Sequence, residues 1–382
     1  MNDPYLTTEW VDQETGAKGY FVIDEMKNDF CAGGIRMRKG VTKKEVERLA
    51  QIMTIKMAGL GMPLGGAKGG IDFPSDHPKS KEVLKRYLKA HVPYIREYWL
   101  TSEDLGTKEE DILTILRELG LKSSVHAFIN KQENSAILTE KLQKAMSAKY
   151  DGMNLTDLVT GYGVAVVTME GLDYLGVKRN HAKVSIQGFG SVGASAAKFL
   201  FENGVKIVAV ADWKGTIYCK DGLDISLLSR LKDSTGIISR NGLPPEYEQL
   251  PGSAWLTVHS DVLIPAAVAD VIHADNASNL NAKLIVEGAN LPVTSEAEKI
   301  LFERGVLMIP DFIANSGGAG LFVSVLHGNV KGEASAIFTF LREQMSKTTK
   351  NVLDIATKDQ LLPRIAAKQL VDRLEEQTKL GV

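Results

Sequence analysis

The chain is poor in cysteine, with only Cys31 and Cys219 among its 382 residues. The two lie far apart in the sequence and form neither a CxxC pair nor another spacing typical of metal ligands. A structural disulfide or a zinc site is therefore not expected, and such low cysteine usage is typical of a reducing compartment. The sequence accordingly predicts a cytoplasmic protein.

Long apolar runs are also missing, and no segment approaches the roughly 18 apolar residues of a membrane helix. The chain does not open with a basic segment followed by an apolar one, so we expect no signal peptide. A formal net charge of −2 provides no basic field for nucleic acid or for an anionic membrane. The seven histidines are scattered without an HExxH motif, and no metal site is expected. These absences favour small molecules as partners.

What the chain does contain is the composition of an ordinary globular protein. Hydrophobic residues make up 44% and charged residues 24% of the sequence, unlike disordered or fibrous chains. A chain of 382 residues exceeds the length at which one hydrophobic core keeps growing, so two domains are expected.

A glycine-rich stretch around two lysines is the most unusual feature of the sequence. Residues 56–74 read KMAGLGMPLGGAKGGIDFP, with glycine pairs at 65–66 and 69–70 on either side of Lys68. Because glycine contributes no side-chain burial, this density predicts a turn with close backbone approach or positive φ angles. A lysine in such surroundings can lie poorly solvated in a cleft, where desolvation lowers its pKa towards neutrality. The stretch is equally consistent with a phosphate-binding or hairpin loop in which Lys68 is a simple point charge.

Helical periodicity predicts the elements that flank this stretch. A capping box begins at Thr42, and apolar residues follow at helical spacing up to the turn that carries Lys56. A second amphipathic helix is predicted over 80–98, and it leads into SEDLGT at 102–107. In that segment Asp104 can exchange protons with an ammonium group in a cleft, or it can cap a helix.

A βαβ unit is predicted over 183–212, where a strand, a glycine turn, a helix and a second strand follow one another. The turn reads GFGSVG and matches the GxGxxG pattern that binds a dinucleotide pyrophosphate at a helix N-terminus. A purely structural turn is the alternative. The candidate cofactor-binding residues of the turn are Gly188, Gly190, Ser191, Val192 and Gly193.

Asp212 ends the second strand of this unit. A carboxylate there can accept hydrogen bonds from the adenosine ribose hydroxyls and would repel a 2′-phosphate, so it favours NAD over NADP. Lys214 lies close by and weakens that preference, so NADP stays possible. A strand-end cap is the alternative role for Asp212.

Short apolar runs alternate with helical stretches further along the chain, and they extend the βαβ unit into a doubly wound parallel sheet. These runs are 262–267, 284–287 and 306–310. We therefore expect a two-domain α/β protein: an N-terminal α/β domain over 1–154, a Rossmann-type dinucleotide-binding domain over 155–335, and C-terminal helices over 336–382.

Taken together, these stretches resemble the glutamate, leucine, phenylalanine and valine dehydrogenase family, from about residue 30 to about residue 330. The matching motifs, in order, are GGIRM at 33–37, PLGGAKGG at 63–70, SEDLGT at 102–107, VTGYGV at 159–164, GFGSVG at 188–193, SDVLIPAA at 260–267, VEGANLPVT at 286–294 and PDFIANSGG at 310–318. The resemblance implies an amino-acid dehydrogenase that acts on an L-amino acid or on a 2-oxo acid and ammonia. It also implies a homo-oligomer, either a hexamer or an octamer, in which the C-terminal helices return to the first domain, the substrate domain.

Position within these motifs implies roles for single residues. Lys68 matches the family's catalytic lysine, Lys56 the lysine that holds the substrate α-carboxylate, and Asp104 the aspartate that exchanges protons with the amino group. The other matches are the cofactor-binding residues Thr160, Ala266 and Asn290 and the substrate-binding residues Gly34 and Asn315. In the implied mechanism the α-hydrogen leaves as a hydride to the nicotinamide, and Lys68, as the free amine, activates water for attack on the iminium carbon.

Two departures from the family bear on the substrate. Relatives that act on glutamate typically have a lysine just before the GG pair, where it binds the side-chain carboxylate, but this chain has Ala32 there. Where the family has a serine that contacts the substrate side chain, this chain has Phe322, or Ser324 if two residues are inserted. An apolar L-amino acid is therefore expected to be preferred over glutamate.

Three alternatives stay open. The first is a glutamate dehydrogenase with a substitute cation, for which Arg38 and Lys39 are candidates. The second is an NAD oxidoreductase acting on a 2-hydroxy acid, but that chemistry would want a histidine or arginine at the carbonyl rather than the lysine pair Lys56 and Lys68. The third is a sensor that binds NAD without turnover.

Overall fold

The computed structural model describes residues 3–62, 64–326 and 330–379. Its contacts divide the chain into two compact units between Glu140 and Lys141, whereas the sequence places the boundary after residue 154. The difference has a physical reason, because the residues after Lys141 pack on the second unit. The Lys144 ammonium lies 2.8 Å from the Glu333 carboxylate, and Gly332 packs on the Lys141 carbonyl.

The first unit is a mixed sheet covered by helices. Its elements are β1 (Leu6–Val11), β2 (Lys18–Ile23), β3 (Cys31–Ala32), β4 (Ile35–Met37), α1 (Lys43–Gly59), β5 (Gly65–Asp72), α2 (Ser80–Glu97), β6 (Trp99–Leu100), α3 (Glu109–Glu118), α4 (His126–Asn130) and the first half of α5 (Ser135–Ser147). The strand order is β1-β2-β5-β3-β6, and β4 also pairs with β5. The strand β5 therefore lies at the centre of the unit.

The glycine-rich stretch around Lys68 is this central strand, so the predicted turn is wrong. None of the glycines in β5 has a positive φ. Their role is close packing: a Cβ on Gly66 would lie 2.2 Å from the Thr54 nitrogen of α1, and one on Gly70 would lie 2.3 Å from a Val46 methyl group. Glycine in β5 thus allows α1 to lie directly on the strand that carries Lys68.

The helix α1 begins as predicted, since the Thr42 side chain accepts a hydrogen bond from the Glu45 N–H. Its last turn contains the buried Lys56. On the other side of the sheet, α2 buries an apolar face against a core that includes Tyr87 and Trp99. The Trp99 indole N–H donates to the Gly33 carbonyl over 2.9 Å, which fixes the segment that leads into β4.

The second unit is built on a seven-stranded sheet. Its elements are β7 (Lys149–Tyr150), β8 (Met153–Asn154), α6 (Leu155–Tyr174), β9 (Lys183–Gln187), α7 (Ser191–Glu202), β10 (Lys206–Asp212), β11 (Gly215–Tyr218), α8 (Ile225–Leu231), β12 (Glu248–Leu250), β13 (Val262–Pro265), α9 (Ala274–Ala277), β14 (Leu284–Val286), α10 (Ser295–Glu303), β15 (Leu307–Ile309), α11 (Asp311–Ala314), α12 (Gly317–Leu326), α13 (Ala334–Lys358) and α14 (Pro363–Lys379). The strand order is β12-β11-β10-β9-β13-β14-β15, in which the five strands β10, β9, β13, β14 and β15 run parallel to one another. The predicted parallel sheet is confirmed, and β11 and β12 extend its edge as antiparallel strands.

The C-terminal helices pack on the second unit. The helix α13 lies against α6, where Gly163 leaves room for Met345, and the rings of Tyr162 and Phe338 lie 4.3 Å apart. The helix α14 packs on α13 and β15. The buried apolar faces of both helices are thus used within this unit, and the return to the first unit that the resemblance implies stays a prediction.

The two cysteines, Cys31 and Cys219, are both buried and free. Across the described ranges, no helix is long and apolar enough to cross a membrane.

Candidate functional site

Lys68 lies in the interior of the first unit, on the central strand β5. Only 6% of the residue is exposed, and its Nζ lies 3.3 Å from the Oδ2 of Asp104. Burial lowers the pKa of Lys68; the Asp104 carboxylate opposes this shift and the nearby Arg36 adds to it. The lowered pKa predicted from the sequence therefore follows from a buried strand position rather than from a flexible loop.

Asp104 belongs to the loop between β6 and α3. Its N–H donates to the Thr107 hydroxyl over 3.0 Å, and that hydroxyl donates to the Ile35 carbonyl over 2.8 Å, so the loop is tied to β4. Gly34 is required at this point because a Cβ there would lie 2.4 Å from the Glu103 carbonyl oxygen. The N-cap position of the helix that follows is Lys108, which makes no side-chain cap hydrogen bond, so Asp104 is not the N-cap of that helix.

The Asp104 carboxylate is held ionised by its neighbours. Burial alone would raise its pKa, but the charges of Lys68 and Arg36 outweigh that effect and hold the pKa well below the usual range. In this pair Lys68 is therefore the group whose pKa is shifted towards loss of its proton, whereas Asp104 stays ionised.

Sequence reasoning missed Arg36, which lies on β4 between two buried apolar residues. Its Nε donates to Asp104 Oδ2 over 2.8 Å, and its NH1 group donates to Glu45 on α1 over 3.0 Å. The available signal was an arginine inside the apolar strand sequence of the GGIRM motif. Buried charges are normally paired, so this position indicated a carboxylate partner.

The structure also places the residues that bear on the substrate side chain. Ala32 is buried in β3, where its neighbours across the sheet are Gly66 and Leu100. The candidate substitute cations are engaged elsewhere, with Arg38 2.8 Å from Glu45 and Lys39 3.4 Å from Asp72.

The alternatives Phe322 and Ser324 lie on α12 of the second unit. Ser324 is fully buried, and its hydroxyl donates to the Leu321 carbonyl over 2.7 Å. Phe322 is half-buried. The serine hydroxyl is thus satisfied inside the protein, which leaves Phe322 as the candidate for contact with a substrate.

The GFGSVG motif forms the predicted turn between β9 and α7. Gly188 has a φ of +91°, and a Cβ on Gly193 would lie 2.0 Å from the Gly188 carbonyl oxygen. Gly190 is the N-cap of α7 and supplies no side-chain cap, and a Cβ on it would meet open space. Ser191 is exposed and Val192 half-buried in the first turn of α7. Backbone N–H groups at this helix N-terminus can therefore bind a pyrophosphate.

Asp212 is placed differently from the prediction. Its two carboxylate oxygens accept two hydrogen bonds from Arg240, at 2.7 and 2.8 Å, and one each from the backbone N–H groups of Lys214 and Ile238. All four acceptor directions of the carboxylate are filled, and its side chain is 1% exposed. These bonds hold the pKa of Asp212 low in spite of burial. A ribose hydroxyl would find no free acceptor on Asp212, and Arg240, distant in sequence, gave no signal.

The remaining candidate residues lie along the ends of β13 and β14 and near α12. Ala266 packs beside Gly188 and donates its N–H to the Gln187 carbonyl over 2.7 Å. Asn315 donates to the Asn290 side chain over 2.9 Å, and Thr160 on α6 packs on the N-terminal glycines of α12. The structure thus brings Asn290 and Asn315 into direct contact, as their predicted common role near the nicotinamide and substrate requires.

A buried ionic cluster supports this part of the second unit, and sequence reasoning missed it. Arg364 on α14 lies 2.7 Å from Glu287, 3.0 Å from Asp311 and 3.4 Å from Glu298. Asp311 accepts the N–H of Leu291, and Glu287 accepts the N–H of Asp311. The cluster therefore fixes the loop that carries Asn290. An acidic residue directly after the buried strand β14 was the available signal.

No group of three histidine, cysteine, aspartate or glutamate side chains suited to a metal ion occurs in residues 3–62, 64–326 and 330–379.

Comparison with known families gives two matches along the chain. The model of the Glu/Leu/Phe/Val dehydrogenase dimerisation domain matches residues 6–120. The model of Glutamate/Leucine/Phenylalanine/Valine dehydrogenase matches residues 152–379. Between them the two models include every candidate residue named above.

Similar curated proteins are glutamate dehydrogenases. The NADP-specific glutamate dehydrogenase of Saccharolobus shibatae is 36% identical over 75% of this chain and 65% of its own length. The catabolic NAD-specific glutamate dehydrogenase RocG of Bacillus subtilis is 32% identical over the same shares of the two chains. The matched part is thus just under two thirds of either relative.

Similar solved structures include the hetero-hexameric glutamate dehydrogenase of Thermus thermophilus in a leucine-bound form. It is 25% identical, with a TM-score of 0.78, over 99% of this chain and 90% of that one. The glutamate dehydrogenase of Peptoniphilus asaccharolyticus is also 25% identical, with a TM-score of 0.74, over 99% and 92% of the chains.

The Arg364 cluster predicts a pH-dependent loss of stability. Burial raises the pKa of Glu287 to about 8 while Arg364 opposes that rise. A raised carboxyl pKa makes the folded state hold a proton that the unfolded state releases, so this group's contribution to stability is lost as pH rises towards 8. Arg364→Met should raise the pKa of Glu287 further and cost about 3–5 kcal/mol at high pH, with a smaller loss near pH 5.

Urea unfolding at both pH values measures this difference. Arg373→Met on the same helix is the control, since Arg373 forms an exposed 3.8 Å pair with Asp359. An equal loss for the two variants, or a larger loss for Arg364→Met at pH 5, would contradict the prediction.

Proposed function

The chain belongs to the Glu/Leu/Phe/Val dehydrogenase family, and we propose that it is an amino-acid dehydrogenase that uses NAD or NADP. The reaction converts an L-amino acid, water and the oxidised cofactor into a 2-oxo acid, ammonium, the reduced cofactor and one proton. The main support is the buried 3.3 Å contact between Lys68 Nζ and Asp104 Oδ2, which places a lysine of lowered pKa beside an ionised carboxylate. Groups of this kind suit proton transfer at neutral pH.

In the proposed mechanism the residues of the first unit handle carboxylate and protons. Lys56 binds the substrate α-carboxylate. Asp104 receives a proton from the substrate ammonium and passes it on to solvent, so that Lys68 stays the free amine. The bound nicotinamide would supply the acceptor for the hydride of the α-carbon. As the free amine, Lys68 then takes a proton from the water that attacks the iminium carbon, and it returns a proton to the departing amine.

The second unit fits a dinucleotide cofactor. The glycine turn leaves the N-terminus of α7 without a side-chain cap, and open space lies over Gly190. Asn290 and Asn315, fixed by the Arg364 cluster, would orient the nicotinamide ribose and the substrate. The pairing of Asp212 with Arg240 removes the reason to expect repulsion of a 2′-phosphate, so both NAD and NADP are proposed.

An apolar L-amino acid is the proposed substrate. A glutamate side chain would find Ala32 where family members specific for glutamate offer a lysine, and the hydroxyl of Ser324 is already used within α12. An unpaired carboxylate is costly to bury, by several kcal/mol, whereas burial of an aliphatic side chain contributes about 2 kcal/mol. Glutamate is the second candidate, because the similar curated proteins named above are glutamate dehydrogenases.

A homo-oligomer is proposed from two comparisons. The matching N-terminal family model is described as a dimerisation domain, and the similar Thermus protein is hexameric. The choice between hexamer and octamer and the cytoplasmic location stay predictions.

Lys68→Ala tests the proposed chemistry. Turnover should fall at least about 10²-fold, since a positioned acid-base group is lost. Cofactor binding should persist, because the glycine turn belongs to the second unit. Lys85→Ala is the matched control, a lysine of the same unit with an exposed partner, Glu118. Steady-state rates together with fluorescence titration of the reduced cofactor measure both effects, and near-normal turnover of Lys68→Ala would remove Lys68 from the mechanism.

The cofactor preference should respond in opposite directions to changes in the Asp212–Arg240 pair. Asp212→Asn frees the guanidinium charge, so kcat/KM for NADP relative to NAD should rise about tenfold or more. Arg240→Gln leaves the carboxylate unpaired and should lower the same ratio. Asp221→Asn, at an exposed site of the same unit, should leave it unchanged. A ratio that moves in the same direction in both variants of the pair would rule out its role in cofactor choice.

The substrate prediction is tested by kcat/KM for leucine, phenylalanine and glutamate. The native protein should favour the apolar amino acids, and Ala32→Lys should raise activity on glutamate and lower it on leucine. Ala32→Met is the control for size without charge, and it should not raise activity on glutamate. Strong native activity on glutamate with none on apolar amino acids would show that another residue replaces the missing lysine.

A further inference from the structure

Arg36 shares one oxygen of Asp104 with Lys68. The Arg36 Nε lies 2.8 Å from Asp104 Oδ2, and the Lys68 Nζ lies 3.3 Å from the same atom. The shorter contact belongs to the arginine, whose guanidinium does not lose its proton in proteins. The Asp104 carboxylate is therefore bound more closely by Arg36 than by Lys68.

A buried carboxylate with a lysine as its only partner would hold that lysine as an ammonium ion, because opposite charges at this distance favour the charged form. A permanent cation on the same carboxylate changes which protonation state of the lysine is favoured. With Arg36 charged and Asp104 ionised, a neutral Lys68 leaves the group without net charge, whereas a protonated Lys68 would bury one uncompensated positive charge. Burial of an uncompensated charge is expensive.

The surroundings keep the charge of Arg36 available for this role. Its second carboxylate partner, Glu45, is also bound by Arg38 over 2.8 Å, and the Arg38 side chain is exposed. The charged groups packed around β5 include Asp104 from the loop, Arg36 from β4, Glu45 and Lys56 from α1, and Asp24, whose N–H donates to the Gly66 carbonyl. Of these, Glu45 acts through its contact with Arg36, and its charge is shared between two arginines.

We propose that Arg36 is a positioning residue that fixes the Asp104 carboxylate and offsets its charge, so that Lys68 is available as the free amine. This inference rests on the roles proposed above for Lys68 and Asp104. It adds a group that touches neither substrate nor cofactor and that acts through both of those residues.

Two measurements test it with Arg36→Gln. The first is the pH dependence of kcat/KM for oxidative deamination, whose acidic limb should move up by about one pH unit or more. The second needs no activity: competitive labelling of the protein with acetic anhydride over a pH series, quantified at Lys68 by peptide mass spectrometry, should show the same upward shift. A purely structural role would lower activity without moving either curve.

Companion variants separate charge from shape. Arg36→Lys keeps the charge and should keep both curves close to those of the native protein. Glu45→Gln removes a negative charge that compensates the guanidinium of Arg36. Both curves of this variant should therefore stay in place or move to lower pH. Lys85→Gln removes an exposed, solvent-screened cation whose partner is Glu118 and should leave both curves unchanged. If Arg36→Gln does not fold, an upward shift in Glu45→Gln or in Arg36→Lys would overturn the proposal.

Failure of this inference is distinguishable from failure of the proposed function. An unmoved Lys68 labelling curve in Arg36→Gln, with turnover still abolished in Lys68→Ala, overturns the role of Arg36 and leaves the function in place. A shifted curve with normal turnover in Lys68→Ala supports the role of Arg36 and removes Lys68 from the chemistry.

Discussion

The contact of the buried Asp104 carboxylate with Arg36 and Lys68 is the interaction on which the chemistry proposed for the first unit depends. The two contacts of the carboxylate, at 2.8 and 3.3 Å, bring together β4, β5 and the loop after β6. Each of these elements is in turn fixed by packing, since Gly34 lets the loop approach β4 and Thr107 ties the two together. The contacts among Arg36, Asp104 and Lys68 therefore depend on close backbone packing. A Cβ on Gly34 would displace them.

The second unit is built in the same way at the glycine turn where a cofactor is proposed to bind. Glycine at Gly188 and Gly193 brings a strand and a helix close together, and a buried arginine–carboxylate contact fixes each neighbouring loop. Arg240 satisfies Asp212, and Arg364 satisfies the acidic cluster below Asn290. Both arginines come from segments far away in sequence, so the geometry of the loops depends on the completed fold.

Much of the second unit could be predicted from the sequence because its signals are local. The βαβ unit at 183–212 combines strand, turn and helix patterns within one short stretch, and the parallel strands follow as separate apolar runs. The stretch around Lys68 was predicted as a turn because glycine density indicates flexibility when the partners are unknown. In the structure the same glycines form a strand. The helix α1 lies so close to this strand that a side chain in place of Gly66 or Gly70 would collide with it.

The pairings of Arg36 and Arg240 could not be predicted, because a sequence pattern does not show which distant carboxylate a buried cation will meet. The contact of α14 with β15 likewise depends on tertiary packing, which no local sequence pattern shows. Family resemblance did identify Lys68 and Asp104 as partners, and the structure brings them together. What it did not give was the third charge, Arg36, which contacts the same Asp104 oxygen as Lys68.

The most direct test of the proposed function is a panel assay of the purified protein with each L-amino acid and with NAD and NADP in turn. Formation of reduced cofactor and release of ammonia are followed together. The proposal predicts equal amounts of the two products with at least one apolar L-amino acid. Cofactor binding without reduction by any amino acid in the panel would contradict it and would identify the protein as a cofactor-binding sensor.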